Sequence, residues 1–292
     1  LRRGVAETPS PRRTFFIQPR ATRRAETMTD MKKILIMGAT SGIGLQLAEE
    51  YAARGWKVGA AGRSAGQLSR LAALYPDGIV SRAIDINSAD APVELEALIG
   101  EMGGMDVYLH VAGIGYDNLP LRPREEIAVM ETNVTGFTRM VGAAFRWFRD
   151  HNAGRGHIAA VTSVAGTNGL GCLPAYSASK SCQQTYLRAL EQLCAIEKLD
   201  IRFTDIRPGW IRTPLLDDGS RYPLLMTVPY AVSRIVRAIG RRRRVAVIDW
   251  RWNLIVGLWR LVPDWLWVRI PFSTPPLASR GGNPKEPRHK QA

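Results

Sequence analysis

The sequence predicts an α/β protein: one doubly wound parallel sheet of about seven strands in a single domain, with a C-terminal helical extension. Three observations predict it. Short, continuous apolar runs of strand length alternate along the chain with segments of helical periodicity. Those runs are apolar throughout rather than alternately polar, as expected of strands covered on both faces of a parallel sheet. The first run leads directly into Gly38-Ala-Thr-Ser-Gly42-Ile-Gly44, a glycine-rich turn that opens a helix.

Lys33–Met37 (KILIM) is the first strand, and Ile43, Leu47 and Tyr51 mark a helix from Gly42 to about Arg54. Trp56–Ala61 and Ile79–Ile84 are the second and third strands. Asp106–Val111, His157–Thr162, Ile201–Ile206 and Val245–Ile248 are the fourth to seventh. Helices are expected over 123–149, 175–197 and about Tyr230–Gly240. There is no internal repeat. The whole is a Rossmann-like arrangement over residues 31–249. Residues 1–30 are expected to be a disordered leader, 250–272 a tryptophan-rich amphipathic extension, and 273–292 a disordered tail rich in Pro, Gly and charge. The leader is arginine-rich and acid-poor, somewhat like an organelle transit peptide. The plainer reading is upstream sequence before a start at Met28 or Met31.

The net charge of +14 suggests nucleic acid, but its distribution excludes that partner. Seven arginines stand in residues 1–28, and four of the others form one run, Arg241–Arg244. A nucleic-acid binder spreads its basic residues over a folded face with aromatic or polar base contacts among them. As cations at a helix C-terminus, Arg241–Arg244 need no ligand. The three cysteines (Cys172, Cys182, Cys194) and four histidines (His110, His151, His157, His289) show no metal-ligand spacing, so no metal site is expected. An odd number of cysteines without pairing pattern points to a reducing compartment, and a cytoplasmic location is expected.

The glycine turn fits a pyrophosphate. Gly38 can take the tight turn, Gly42 admits close backbone approach and Gly44 allows close helix packing. Around them Thr40, Ser41 and Ile43 share the N-terminus of a helix whose free N–H groups and dipole favour an anion. After the second strand comes Gly62-Arg63-Ser64, with no acid to bind the hydroxyls of an adenosine ribose. Arg63 is instead placed to meet a 2′-phosphate through its fork of donors, which favours NADP(H) over NAD(H). The plainer alternative is a solvated arginine. Asp85 and Ile86, after the third strand, are expected near the adenine.

Tyr176 and Lys180 stand at i and i+4, on one face of a helix. An ammonium near a phenol stabilises phenolate and is expected to lower its pKa from about 10. Tyr176 can then pass a proton to or from a carbonyl oxygen as hydride moves. Ser163 closes an apolar strand (HIAAVTS), where a hydroxyl can bond a substrate carbonyl.

These pieces occur in an order that resembles the classical short-chain dehydrogenase/reductase family: GATSGIG at 38–44, Asp85, Ala112-Gly113, Asn133 in TNVTG, Ser163, YSASK at 176–180, and RPGWIRT at 207–213. The resemblance implies that Tyr176 is the acid/base, and that Lys180 binds the nicotinamide ribose as well as tuning Tyr176. It implies further that Ser163 orients the carbonyl and that Asn133 helps hold a proton-relay water. Pro208, Gly209, Ile211 and Thr213 would line the nicotinamide end. It also implies a homo-oligomer formed through the helices of 123–149 and 175–197. The chain departs from the pattern at Met37, where the family has Thr, and at His110-Val111, where it has Asn-Asn.

The implied function is hydride transfer between NADP(H) and a carbonyl or secondary alcohol. A non-catalytic NADP-binding sensor or adaptor is the alternative, motivated by His110-Val111 and the tryptophan-rich end. Leu170, Leu173, Leu215, Leu216, Leu224, Leu225 and Met226 make either an apolar substrate pocket or the packing of a lid. Cys172 and Trp210 are further candidates for substrate contact. Residues 250–272 hold five of the eight tryptophans, interrupted by Arg260, Pro263 and Asp264, so a membrane-spanning helix is not expected. The segment either covers the enzyme's own pocket or a partner subunit, or lies peripherally in a membrane interface.

Overall fold

The computed structural model describes residues 32–213 and 222–272. The expected leader and tail, together with Leu215 and Leu216, lie outside the described residues. The seven strands are β1 Lys33–Met37, β2 Lys57–Gly62, β3 Ile79–Ala83, β4 Val107–His110, β5 Arg155–Val161, β6 Asp200–Pro208 and β7 Val245–Ile248. They form one sheet in the order β3-β2-β1-β4-β5-β6-β7. Every pairing is parallel, from Lys33 opposite Lys57 at one side of β1 to Ile34 opposite Val107 at the other.

The uniformly apolar strands are explained by two cores, one on each face. Alternate residues of a strand point to opposite sides. Ile34 and Ile36 therefore pack with Leu47, Tyr51, Val58, Ile206 and Ile235, while Leu35 and Met37 pack with Leu95, Tyr108, Phe137, Phe145 and Leu187. The first face is covered by α1 Gly42–Ala53, α2 Ala65–Leu74 and α7 Val228–Gly240. The second is covered by α3 Ala91–Met102, α5 Phe137–His151 and α6 Pro174–Glu197. The helix expected over 123–149 is divided: α4 Pro123–Met130 runs into a π-helical stretch, Glu131–Gly136, before α5. Such stretches mark places where a helix is bent to present a functional group, and Asn133 lies in this one. The chain reverses direction of winding at β1, whose neighbours are β2 and β4. This leaves a crevice at the strands' C-terminal ends, where doubly wound sheets bind ligands.

The extension forms α8 Trp250–Trp259 and α9 Asp264–Trp267, with Pro263 starting the second. Trp252, Trp259 and Trp267 are buried on the first core in successive ring contacts. Trp259 Nε1 donates to Thr167 Oγ1 at 3.0 Å and Trp267 Nε1 to the Gly169 carbonyl at 2.7 Å. The segment thus holds down the loop that follows β5. Its other side is open to solvent: Trp250 is 72% exposed, Trp265 64% and Leu261 78%. No helix among the described residues is long and apolar enough to cross a membrane. Of the basic run, Arg244 is drawn to Glu191 at 2.6 Å.

Candidate active site

The turn after β1 is built around two glycines. Gly38 has φ +101°, and a Cβ there would lie 2.6 Å from the Ala112 nitrogen. A Cβ on Gly44 would lie 1.9 Å from the Gly38 carbonyl oxygen. No side chain fits at either position, so the backbone of β1, α1 and the 111–115 loop closes into a bare cradle at the α1 N-terminus. Gly38 N–H and Ala39 N–H both donate to the Ala61 carbonyl, at 2.8 and 2.9 Å, and tie this turn to the end of β2.

A groove opens from the cradle. Its walls include Gly38, Thr40, Ser41, Gly42, Ile43, Gly44, Arg63, Asp85, Ile86, Ala112, Gly113 and Thr213. The walls also include Met37, Gly62, Ile84, Asn87, Val111, Ile114 and Thr132, which sequence reasoning missed. Met37, Gly62 and Val111 follow from strand ends whose last residues necessarily border the crevice. Asn87 and Thr132 carry no motif. Arg63 is exposed on the wall, immediately after β2. The bare glycine cradle and the cationic wall fit a nicotinamide dinucleotide.

Gly113 joins this groove to the second cluster. A Cβ at Gly113 would lie 3.1 Å from Asn133 Oδ1 and 3.5 Å from Lys180 Nζ, so the backbone passes directly over both groups. Asn133 is fully buried. It accepts from the Ile114 N–H at 2.9 Å and donates through Nδ2 to the Ile114 carbonyl at 2.7 Å, with Ser179 Oγ at 3.1 Å. Its side chain therefore staples the 111–115 loop. The neighbouring Gly115 packs on the Tyr176 ring, where a Cβ would come within 2.7 Å of Cδ2.

Ser163 caps the turn after β5, its Oγ accepting the Ala165 N–H at 3.1 Å. Burial pushes the Tyr176 phenol above its ordinary value, with a hydrogen bond to Ser163 pulling the other way. This corrects the expectation from spacing. The Lys180 ammonium is 5.6 Å from the ring centroid, and the direction of the shift is set by desolvation, with Ser163 opposing it. Lys180 itself is 4% exposed. Burial lowers it to about 8, opposed by the charge of Asp205. Asp205 is in turn held by Arg207 Nε at 2.7 Å and Thr162 Oγ1 at 2.5 Å. His110, at the end of β4, meets Tyr108 Oη through Nδ1 at 2.9 Å and stacks edge-on against Phe137. The departure from Asn-Asn is thus filled by a buried aromatic contact, and it displaces none of Asn133, Ser163, Tyr176 and Lys180.

Pro208 ends β6, Thr213 lines the groove, and Gly209 and Ile211 are packed beside it. A Cβ on Gly209 would lie 2.1 Å from Trp252 Nε1, and Ile211 is buried in a bridge to Met226. Cys172, Leu173 and Met226 are buried at 3%, 7% and 3% exposure, and Leu170, Leu224 and Trp210 pack on the core beneath. Among the described residues no group of His, Cys, Asp or Glu is arranged to hold a metal.

A sequence model of the family described as short chain dehydrogenase matches residues 32–221. An uncharacterized oxidoreductase of Myxococcus xanthus is 32% identical over 237 residues, 79% of this chain and 92% of that protein. The 3-oxoacyl-[acyl-carrier-protein] reductase of Vibrio cholerae is 31% identical over 204 residues, 68% of this chain and 82% of its own. Among solved structures, a short chain dehydrogenase from Burkholderia cenocepacia in complex with NADP superposes with TM-score 0.70 at 21% identity, covering 82% of this chain and 97% of that one. A 3-ketoacyl-(acyl-carrier-protein) reductase from Brucella melitensis complexed with NADH gives 0.65 at 26% identity, covering 75% and 96%.

Proposed function

The chain belongs to the short-chain dehydrogenase family, oxidoreductases acting on CH–OH donors, and on that premise we propose that it transfers hydride between NADP(H) and a carbonyl or secondary alcohol. The observation that carries the reading is the junction at Gly113. There the wall of a groove with a bare glycine cradle passes over Asn133 and Lys180, one helical turn from Tyr176. The bound dinucleotide supplies or removes the hydride. Gly38, Gly42 and Gly44 with Thr40, Ser41 and Ile43 receive its pyrophosphate, Arg63 its 2′-phosphate, and Asp85 and Ile86 flank its adenine. Lys180 holds the ribose next to the nicotinamide, with Ala112, Gly113 and Thr213 along that end.

Ser163 and Tyr176 share the substrate oxygen. In reduction, the Tyr176 hydroxyl releases its proton to that oxygen as negative charge develops there, and Ser163 stabilises the same charge by hydrogen bonding. Burial keeps the phenol protonated but makes it a weaker acid, and in this reading the nearby Lys180 ammonium offsets that cost by stabilising the phenolate left behind. In oxidation the sequence reverses. Asn133, committed to Ile114, keeps the loop that borders both sites in place.

The outward side of α8 and α9 is apolar, with Trp250, Leu254, Leu258, Leu261 and Trp265 all more than half exposed and Arg260 and Arg269 among them. We place this face against an anionic membrane surface, where Trp and Arg are favoured. Flotation with vesicles containing phosphatidylglycerol should be lost on Trp250→Ser with Leu258→Ser; unchanged flotation removes the face from the account. Assembly of copies through the helices of 123–149 and 175–197 is read by sedimentation. The reaction itself is tested by NADPH oxidation against a panel of ketones and aldehydes, including apolar ones. Tyr176→Phe should lose about 10²–10⁴-fold in turnover. Activity that survives the substitution overturns the assignment of the phenol.

A further inference from the structure

We propose that Gln183 is a positioning residue: its side-chain amide bridges the Lys180 ammonium to the Asn133 main chain and thereby fixes the ammonium beside the cofactor groove. This rests on the reading of Lys180 as the group that holds the nicotinamide ribose. Gln183 follows Lys180 by three residues on α6, so both lie on the helix face turned to the site. It is 1% exposed. Its Oε1 accepts from Lys180 Nζ at 3.1 Å, and its Nε2 donates to the Asn133 carbonyl at 2.8 Å. An amide side chain accepts from an ammonium through its oxygen and donates to a carbonyl through its nitrogen at once, while staying neutral.

The consequence is mechanical. A lysine ammonium sits at the end of a flexible four-carbon stem with three rotatable donors. Here two of those donors are committed to the protein, one to Gln183 and one to the Val161 carbonyl at 3.1 Å. Asn133 in turn grips both backbone groups of Ile114, which lines the groove. Lys180, Gln183, Asn133 and the 113–114 backbone therefore form one chain of hydrogen bonds from the ammonium to the groove wall. The π-helical stretch contributes by carrying Asn133 at the point where α6 can reach its carbonyl. The resemblance places a relay water at Asn133; the direct bond from Gln183 gives that carbonyl a protein partner on the side of Lys180.

The charged and titratable groups that face Lys180 are Asp205 on β6, itself paired with Arg207, His110 on β4, and Tyr176 on α6. None of them makes the Gln183 contact, so substitutions there act on Lys180 separately. Gln183→Leu removes the acceptor and leaves a buried ammonium with one partner fewer. Gln183→Glu keeps shape, strengthens the half of the bridge to Lys180 with a charge, and breaks the half to Asn133.

The test is NADPH binding, followed by fluorescence across pH 6–10 in wild type, Gln183→Leu and Gln183→Glu. The alkaline limb, where binding is lost as Lys180 deprotonates, should move down by about one pH unit in Gln183→Leu and up by about one or more in Gln183→Glu. At pH 7 the Leu variant should bind about tenfold more weakly. Unfolding midpoints of the three proteins without cofactor give a second readout. Stability gained as pH rises from the Lys180 value toward 10.5 should begin lower in Gln183→Leu and higher in Gln183→Glu. Limbs that coincide, or that move in the same direction in both variants, overturn the positioning role. A wild type that fails to bind NADPH overturns the cofactor reading and this inference with it.

Discussion

Replacing Arg63 by Ala isolates the preference between the two dinucleotides. Arg63 follows the last residue of β2 and stands exposed on the groove wall. Gly62-Arg63-Ser64 offers no carboxylate to bind ribose hydroxyls, so the proposed discrimination rests on one guanidinium. Hydrogen bonds to a charged partner contribute about 1.5–3 kcal/mol, and water at an exposed wall reduces this to about 1–2 kcal/mol. NADPH binding should therefore weaken about 5- to 30-fold. NADH lacks the 2′-phosphate and should change by less than about twofold. Fluorescence titration of both dinucleotides at low and physiological salt reads the effect. The wild-type preference for NADPH should shrink as salt shortens the screening length from about 30 Å to about 8 Å, and the variant should lose that dependence. An equal loss for both dinucleotides, or none for NADPH, refutes the reasoning.

Ser163→Ala should lower turnover about 10²-fold or more with little change in NADPH affinity, measured by steady-state kinetics beside binding; an effect confined to NADPH affinity places Ser163 elsewhere. Burial and the Lys180 charge hold His110 at about 3 against an ordinary 6.5, so the unfolded chain takes up that proton first. Stability is then full above about 6.5 and lost progressively as pH falls toward 3. His110→Asn should flatten that acid limb in unfolding midpoints between pH 4 and 7 without abolishing it, since His157, lowered to about 4 mainly by burial, titrates in the same direction. An unchanged limb contradicts the assignment. Trp259→Ala removes a 9%-exposed indole and its bond to Thr167, and should cost about 3–5 kcal/mol by chemical denaturation. A cost below about 1 kcal/mol would mean that the extension is only loosely attached.

Much of the fold was legible because fully buried parallel strands leave a clear mark: the ILIM of β1 and the IAAV of β5 have no polar side chain on either face. The cradle was equally legible, since Gly38 and Gly44 are required by backbone approach that no side chain survives. The break at Glu131–Gly136 was not, because no proline interrupts the helical pattern there and the altered turn is stabilised by contacts from α6 and the 113–114 loop. Roles carried by the backbone were invisible for a general reason: the carbonyls of Val161 and Ile114 carry no residue signature. Gln183 did carry a signal, its i+3 spacing from Lys180. The tryptophan-rich segment allowed two opposed readings because periodicity does not tell which of its rings turn inward. Trp259 and Trp267 turn inward where Thr167 and Gly169 offer acceptors, while Trp250 and Trp265 turn outward. The phenol went the other way from expectation because spacing reveals the ammonium but not the burial.

The most direct measurement is a crystal structure of the NADPH complex. The account predicts the pyrophosphate against Gly38–Gly44, the 2′-phosphate within hydrogen-bonding distance of Arg63, and nicotinamide C4 facing the Tyr176 hydroxyl with Lys180 on the ribose. A dinucleotide seated outside this groove, or one whose nicotinamide lies away from Tyr176, would contradict it.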